Sequence, residues 1–209
     1  MKFTHLLITV ALCGTLNAKE IDIYPNDKEN GISAPLAQDH RALNTKGQCV
    51  WSSIQNMGRQ IGEPKLYNLT KDPRCQGGAN PSDVKRVLTA LDVKFEQAYG
   101  NRKDAYKLIE KGLSEGRPCI ISYGRAHVIN VVHYDPSANK VGVVNNHGDR
   151  FQTQYHTLSE FDRLFKGWVC IVYGPPEAEA KLKEWREKER RIYADYYAPD
   201  GKKNENDQF

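Results

Sequence analysis

The stretch from Gly47 to Gly62 constrains the fold most, because it predicts a helix with a cysteine at its start. Its apolar residues recur at spacings of four, three and four, as in an amphipathic helix; they are Val50, Ile54, Met57 and Ile61. Gly62 suits the C-terminal cap. Cys49 then lies where unpaired N–H groups and the helix dipole favour the thiolate, the nucleophilic form of a thiol. A buried structural cysteine, or one half of a disulfide, is the alternative interpretation.

The first 18 residues have the pattern of a signal peptide, with Lys2 before a short apolar run from Leu6 to Gly14. This run is too short to span a membrane, and no other apolar run approaches the ~20 residues that a span needs. We therefore expect export after cleavage at Ala18, into the periplasm or the medium, and no membrane span. A lipoprotein anchored through Cys13 is the alternative.

Composition indicates one globular domain with polar appendages. The chain has 209 residues, of which 39% are hydrophobic and 27% charged, so it is long enough to bury a core. The formal net charge of +4 is too small, and too evenly mixed with acids, to favour a nucleic-acid partner. We predict an extended N-terminal arm over 19–39, a domain over 40–174, and a charged helix with a polar tail over 175–209. That helix either packs on its own domain or binds a partner.

Within the domain, helices are predicted first and strands afterwards. Asn80 is a capping residue for a second helix with an apolar face. A short strand over 94–98 and a third helix over about 103–115 follow. Four β-rich runs then cover 118–123, 127–134, 140–145 and 168–173, and Thr157 opens a helix between the last two. Helices followed by antiparallel strands make an α+β domain.

Four cysteines remain once the signal is removed: Cys49, Cys75, Cys119 and Cys170. An even number in an oxidising compartment favours disulfides. If Cys49 is a free nucleophile, at most one pair can form within the chain. Cys119 and Cys170 both fall in apolar strand-like runs, so they are the expected pair, with Cys75 free in a loop.

His127 and Asn145 supply what a cysteine nucleophile needs, which is a base close by and a third group that orients the base. His127 begins a strand-like run, so its imidazole is expected at the rim of a sheet. Asn145 closes the next run, across a hairpin. The chain thus offers nucleophile, base and orienting group in the order Cys, His, Asn.

These segments resemble the papain-like cysteine peptidases, and more closely the bacterial group similar to the bacteriocin-leader-processing peptidases. The resemblance covers roughly residues 40–174 and is carried by Gly47 to Ser52, His127 to Tyr134 and Val143 to Gly148. It implies a papain-like α+β fold whose N-terminal helices, including the nucleophile helix, pack on a C-terminal antiparallel sheet. It also implies hydrolysis of peptide or isopeptide bonds in a peptide or protein substrate, and we expect no cofactor.

The resemblance implies a role for each of three residues. Cys49 would be the attacking thiolate, and His127 the base and then the acid toward the leaving amine. Asn145 would orient the imidazole. Asn146 competes for that role, because two variants of the family register one residue apart.

The chain departs from the family at the oxyanion-binding group. In the family, the oxyanion is met by the backbone N–H of the cysteine and by a glutamine side chain about six residues earlier. That position is Leu43 here, which leaves Asn44 or Gln48 as a substitute. Loss of one oxyanion donor costs about 2.7–4 kcal/mol of transition-state stabilisation, so weak or absent activity is one expectation.

Four other functions stay open from the sequence. His133, His147 and His156 follow His127, but their spacing is not that of a compact metal site, so we expect no metal. His147 is a candidate third member of a Cys-His-His arrangement like that of the NlpC-type cell-wall peptidases. Transfer of the acyl group to an amine is another alternative, because transglutaminases share the sequence Gly-Gln-Cys. They favour an acidic residue as the third catalytic group, where this chain has amides. The non-enzymatic alternative is a papain-fold binding or inhibitory module without turnover.

Overall fold

The computed structural model describes residues 32–34, 47–147 and 152–196. The predicted signal peptide, most of the predicted arm, and the polar tail beyond residue 196 lie outside these ranges. The helices are α1 Cys49–Gln60, α2 Pro81–Ala90, α3 Arg102–Ser114, α4 Leu158–Leu164 and α5 Pro176–Tyr196. The strands are β1 Ile32–Ser33, β2 Phe95–Tyr99, β3 Cys119–Tyr123, β4 His127–Asp135, β5 Lys140–Val144, β6 Thr153–His156 and β7 Phe165–Val172.

All described strands join one antiparallel sheet, in the order β2-β7-β3-β4-β5-β6. The short β1 pairs with the end of β4, where Ile32 lies opposite Tyr134 and Ser33 opposite His133. Helices α1 and α2 contribute to a core on one face of the sheet, and α3 contributes to a core on the other. The predicted α+β class is therefore confirmed, with helix α1 packed on the sheet.

The local helix signals act as the sequence predicts. The Asn80 side chain accepts hydrogen bonds from the backbone of Ser82 and Asp83, and the Asp83 carboxylate accepts one from Asn80 N–H, which completes a capping box. Thr157 and Glu160 form the same box at the start of α4. Strand β2 and helix α3 also lie within one residue of their predicted ranges.

Helix α1 differs from its prediction, because it is buried on every side. Each residue from Cys49 to Gly58 is buried, although an amphipathic helix was expected. Three short turns of 3-10 helix, Pro64–Leu66, Leu69–Lys71 and Pro73–Cys75, follow α1, and the first two contact it. Its buried polar groups find partners there: the Gln55 side-chain oxygen accepts from the N–H and the hydroxyl of Thr70, at 2.8 and 2.9 Å. Such pairing offsets the cost of burying polar groups.

The predicted disulfide between Cys119 and Cys170 is wrong. Cys170 lies opposite Ile120, and both face the core that contains α1, whereas Cys119 faces the core that contains α3. Successive residues of a strand point to opposite faces, so the two sulfur atoms lie on different sides of the sheet. The four described cysteines are all free and buried.

Helix α5 is anchored to the domain by its first turns. Glu179 forms an ion pair with the buried Arg117 and also accepts a hydrogen bond from the Gly174 backbone. Leu182 packs against the core that contains α1, and Arg186 hydrogen-bonds the Leu113 carbonyl. No described helix is both long enough and apolar enough to cross a membrane.

Gly58 gives a test of the buried position of α1. A Cβ atom at this position would lie 2.4 Å from the Leu66 Cβ, so the Pro64–Leu66 turn would have to move. We expect Gly58→Ala to lower the free energy of unfolding by about 1–3 kcal/mol, despite the better helix propensity of alanine. Chemical denaturation measures this change. Gly78→Ala is the control, because a Cβ there meets nothing within 4 Å; equal stability of the two variants would contradict the packing described for α1.

Candidate active site

Cys49 is the first residue of α1 and is 7% exposed. No side chain caps this end of the helix, and its first turn, which the structure describes in full, contains no acidic residue. The start of α1 therefore keeps its positive partial charge beside the thiol.

His127 begins β4, and its ring nitrogen Nε2 lies 2.9 Å from Oδ1 of Asn145, the residue that follows β5. The backbone N–H of His147 donates to the same oxygen, at 3.0 Å, which fixes Oδ1 as the atom that faces the ring. An amide oxygen only accepts hydrogen bonds, so Nε2 carries a hydrogen. In the neutral ring, Nδ1 is then left with the lone pair that a base uses.

Asn146 does not take the position of Asn145 but faces the start of α1. Its side-chain nitrogen lies 2.7 Å from the carbonyl oxygen of Cys49, 2.7 Å from Ser53 Oγ and 2.9 Å from the carbonyl oxygen of Val128. Asn146 is 1% exposed. The structure therefore separates two neighbouring amides that the sequence left as competitors.

The three predicted site residues are brought together unequally. His127 and Asn145 are joined by a direct hydrogen bond. Among the described contacts, no hydrogen bond joins the Cys49 thiol to the His127 ring. Asn146 bridges the backbone carbonyls of Cys49 and of Val128, the residue after His127. Catalytic contacts of an unliganded site are often longer than those of the reacting complex.

Gln48 turns away from the thiol. Its amide nitrogen lies 3.0 Å from the carbonyl oxygens of both Thr70 and Cys75, and 3.3 Å from Oε1 of Gln76. These contacts use its donors to hold the loop after α1, so they are not free for an oxyanion. Leu43 and Asn44 lie outside the described residues.

The remaining histidines serve separate contacts. The His156 ring lies 3.1 Å from the Tyr123 hydroxyl, and the His133 ring stacks edge-on against Tyr155. His147 is exposed and reaches Asn145 through its backbone. Within the described ranges, no three His, Cys, Asp or Glu side chains gather as a metal site would require.

The other described cysteines lie in surroundings that keep their thiols neutral. Burial raises the pKa of Cys75 to about 12, and it raises the pKa values of Cys119 and Cys170 still further. Because a thiol with a raised pKa stays protonated at neutral pH, these three are poor nucleophiles.

Ser53 is a site residue that the sequence analysis missed. It lies one turn after Cys49 in α1, and its hydroxyl lies 3.3 Å from the Val128 carbonyl oxygen. The sequence held one signal for it: Ser53 is four residues from Cys49, which places the two on one face of the helix.

No protein-family model and no curated protein matches the chain. Several solved structures resemble it, including the following three. A double-glycine-motif protease from an AMS/PCAT transporter, solved in complex with its leader peptide, gives a TM-score of 0.48 at 14% identity over 68% of this chain and 94% of that one. The peptidase domain of Streptococcus ComA, a bifunctional ABC transporter of a quorum-sensing pathway, gives 0.47 at 10% identity over 65% and 96%. UfSP from C. elegans gives 0.44 at 10% identity over 71% and 35%. The first two are peptidase domains of the group that the sequence motifs resemble.

The hydrogen bond between His127 and Asn145 predicts one tautomer. We expect the neutral His127 ring to carry its hydrogen on Nε2, because Asn145 Oδ1 accepts from that atom. Nitrogen-15 NMR of the imidazole distinguishes the two tautomers. Asn145→Ala should allow the other tautomer to appear, whereas His147→Ala keeps the backbone N–H that contacts Oδ1 and should not. An Nδ1–H tautomer in the unmodified protein would contradict the assignment.

Proposed function

We propose that the chain is an exported cysteine peptidase that cleaves peptide or isopeptide bonds through Cys49, His127 and Asn145. The observation that carries the proposal is the 2.9 Å contact between His127 Nε2 and Asn145 Oδ1, because it leaves Nδ1 available as a base. The position of Cys49 at the start of a buried helix supports its role as nucleophile. The signal-like first 18 residues support the proposal of export.

In the first half of the reaction, the Cys49 sulfur forms a bond to the carbonyl carbon of the substrate, and His127 Nδ1 takes the thiol proton. The negative charge on the substrate oxygen develops beside the uncapped start of α1, where the Cys49 backbone N–H lies. The bond from carbon to nitrogen then breaks. His127 gives its proton to the departing amine, and a thioester remains on Cys49.

In the second half, water attacks the thioester and His127 Nδ1 takes a proton from it. The bond from carbon to sulfur breaks, the carboxylic acid leaves, and the proton returns to the thiol. Asn145 holds the ring in one orientation through both halves, since its amide oxygen accepts from Nε2 whether the ring is neutral or charged.

One observation favours a second candidate, a peptide-binding module without turnover. The side chain of Gln48 is bonded to the loop after α1, so its amide donors are not available to the oxyanion. A cleft with a nucleophile but one oxyanion donor fewer would hold a peptide and turn it over slowly.

Thiol labelling tests the nucleophile. We expect iodoacetamide to alkylate Cys49 first at neutral pH, because burial raises the pKa of Cys75 to about 12 and those of Cys119 and Cys170 further. Peptide mapping by mass spectrometry after timed labelling measures the order. His127→Ala should slow the reaction of Cys49 alone. Equal labelling of Cys75 and Cys49 in the folded protein would overturn the assignment.

Hydrolysis separates the two candidates. For the peptidase, products should appear from a mixed peptide library and vanish in Cys49→Ala, and turnover in His127→Ala should fall by about 10²–10⁴-fold. Mass spectrometry of the library measures both. Fast labelling of Cys49 without any cleavage would favour the binding module.

A further inference from the structure

We infer that Asn146 is a positioning residue that sets the separation between the nucleophile on α1 and the base on β4. The inference rests on the proposed function and goes beyond the three residues that the mechanism uses. It concerns the backbone of the site, which Asn146 touches at two carbonyl groups and one hydroxyl.

The contacts fix which way the Asn146 amide points. Its nitrogen lies 2.7 Å from the Cys49 carbonyl oxygen and 2.9 Å from the Val128 carbonyl oxygen, and carbonyl oxygens only accept hydrogen bonds. If the amide were reversed, its side-chain oxygen would face both carbonyl oxygens, and neither could receive a hydrogen bond from it. Both N–H hydrogens are therefore committed to this cluster, whose third member is Ser53 Oγ at 2.7 Å.

Both carbonyl groups that Asn146 holds are next to, or part of, a residue of the proposed mechanism. The Cys49 carbonyl belongs to the nucleophile itself, and Val128 directly follows His127. Asn146 directly follows Asn145. One buried side chain thus joins the three backbone segments that carry the nucleophile, the base and the orienting group.

The bridge matters because the segments it joins come from distant parts of the chain. Asn146 is 97 residues from Cys49 and 18 residues from Val128. If the amide is lost, the Cys49 and Val128 carbonyl oxygens lose the donor that bridges them, and the start of α1 can relax away from β4. A displacement of about 1 Å in a catalytic group lowers the rate by about 10²-fold.

Asn130 provides a matched control from the same network. Its side-chain nitrogen donates to the Ser53 carbonyl oxygen at 3.3 Å, so it also ties β4 to α1. Like Asn146, it is fully buried, and its own amide oxygen makes no hydrogen bond within the described residues. It holds α1 at Ser53, one turn after the nucleophile, and has no bond to Cys49.

The test compares Asn146→Ala, Asn130→Ala and His127→Ala in the full chain. The readouts are the rate of Cys49 alkylation by iodoacetamide as a function of pH, and thermal unfolding. We expect Asn146→Ala to slow alkylation at neutral pH by roughly 10- to 100-fold and to change the shape of the rate–pH curve as His127→Ala does. Asn130→Ala should lower the unfolding temperature but keep the curve of the unmodified protein.

The outcomes separate the inference from the proposed function. If His127→Ala leaves the rate–pH curve unchanged, the pairing of Cys49 with an imidazole fails, and the proposed function fails with it. If His127→Ala changes the curve but Asn146→Ala does not, only the positioning role is overturned. Equal changes in Asn146→Ala and Asn130→Ala would also overturn it, because they would reflect a general loosening of α1 on the sheet.

Two further measurements test the inference if Asn146→Ala does not fold. Asn146→Ser keeps one donor in place of two, so its alkylation rate should lie between those of the unmodified protein and His127→Ala. In the unmodified protein, NMR should show slow exchange of the Asn146 side-chain amide hydrogens with solvent. Exchange as fast as that of an exposed asparagine would contradict the bridge.

Discussion

A polar helix start buried against a sheet is the constraint on which the site depends. Burial takes water away from the backbone and side-chain groups at the start of α1, and each group then needs a partner from the protein. Gln48 finds its partners in the loop that follows α1, and Gln55 does so in Thr70. Ser53 finds its partners on β4 and in the segment just after β5. These bonds fix both the position of α1 relative to the sheet and its rotation about its own axis.

The start of α1 also determines how charge is distributed around the thiol. The start of α1 has no capping side chain and no acid in its described first turn, so its dipole is not neutralised there. For the other described cysteines, desolvation by burial is the largest effect, and it raises their pKa values. One fold therefore holds three protonated thiols and one thiol next to a helix N-terminus.

Features that depend on a few neighbouring residues could be predicted from the sequence. The start of α1, the capping boxes of α2 and α4, and the strands that form β3, β4, β5 and β7 are of this kind. Strand β6 was missed, because its residues Thr153 to His156 are polar and only partly buried at the edge of the sheet. The full burial of α1 was missed because it depends on a loop that packs over the helix from outside.

Features that depend on strand register could not be predicted. Cys119 and Cys170 lie in similar apolar runs, and only the pairing of Cys170 with Ile120 shows that they face opposite sides. Likewise, the sequence could not say which of Asn145 and Asn146 meets the ring, since one residue of register decides it. The geometry resolves this, with Asn145 on the imidazole and Asn146 on the backbone.

The free state of the described cysteines has a consequence for how the fold responds to a reducing agent. No bond between sulfur atoms joins the described parts of the chain, so a reductant has no bridge to break among them. A reductant that keeps the Cys49 thiol unmodified therefore leaves the packing of the described residues intact.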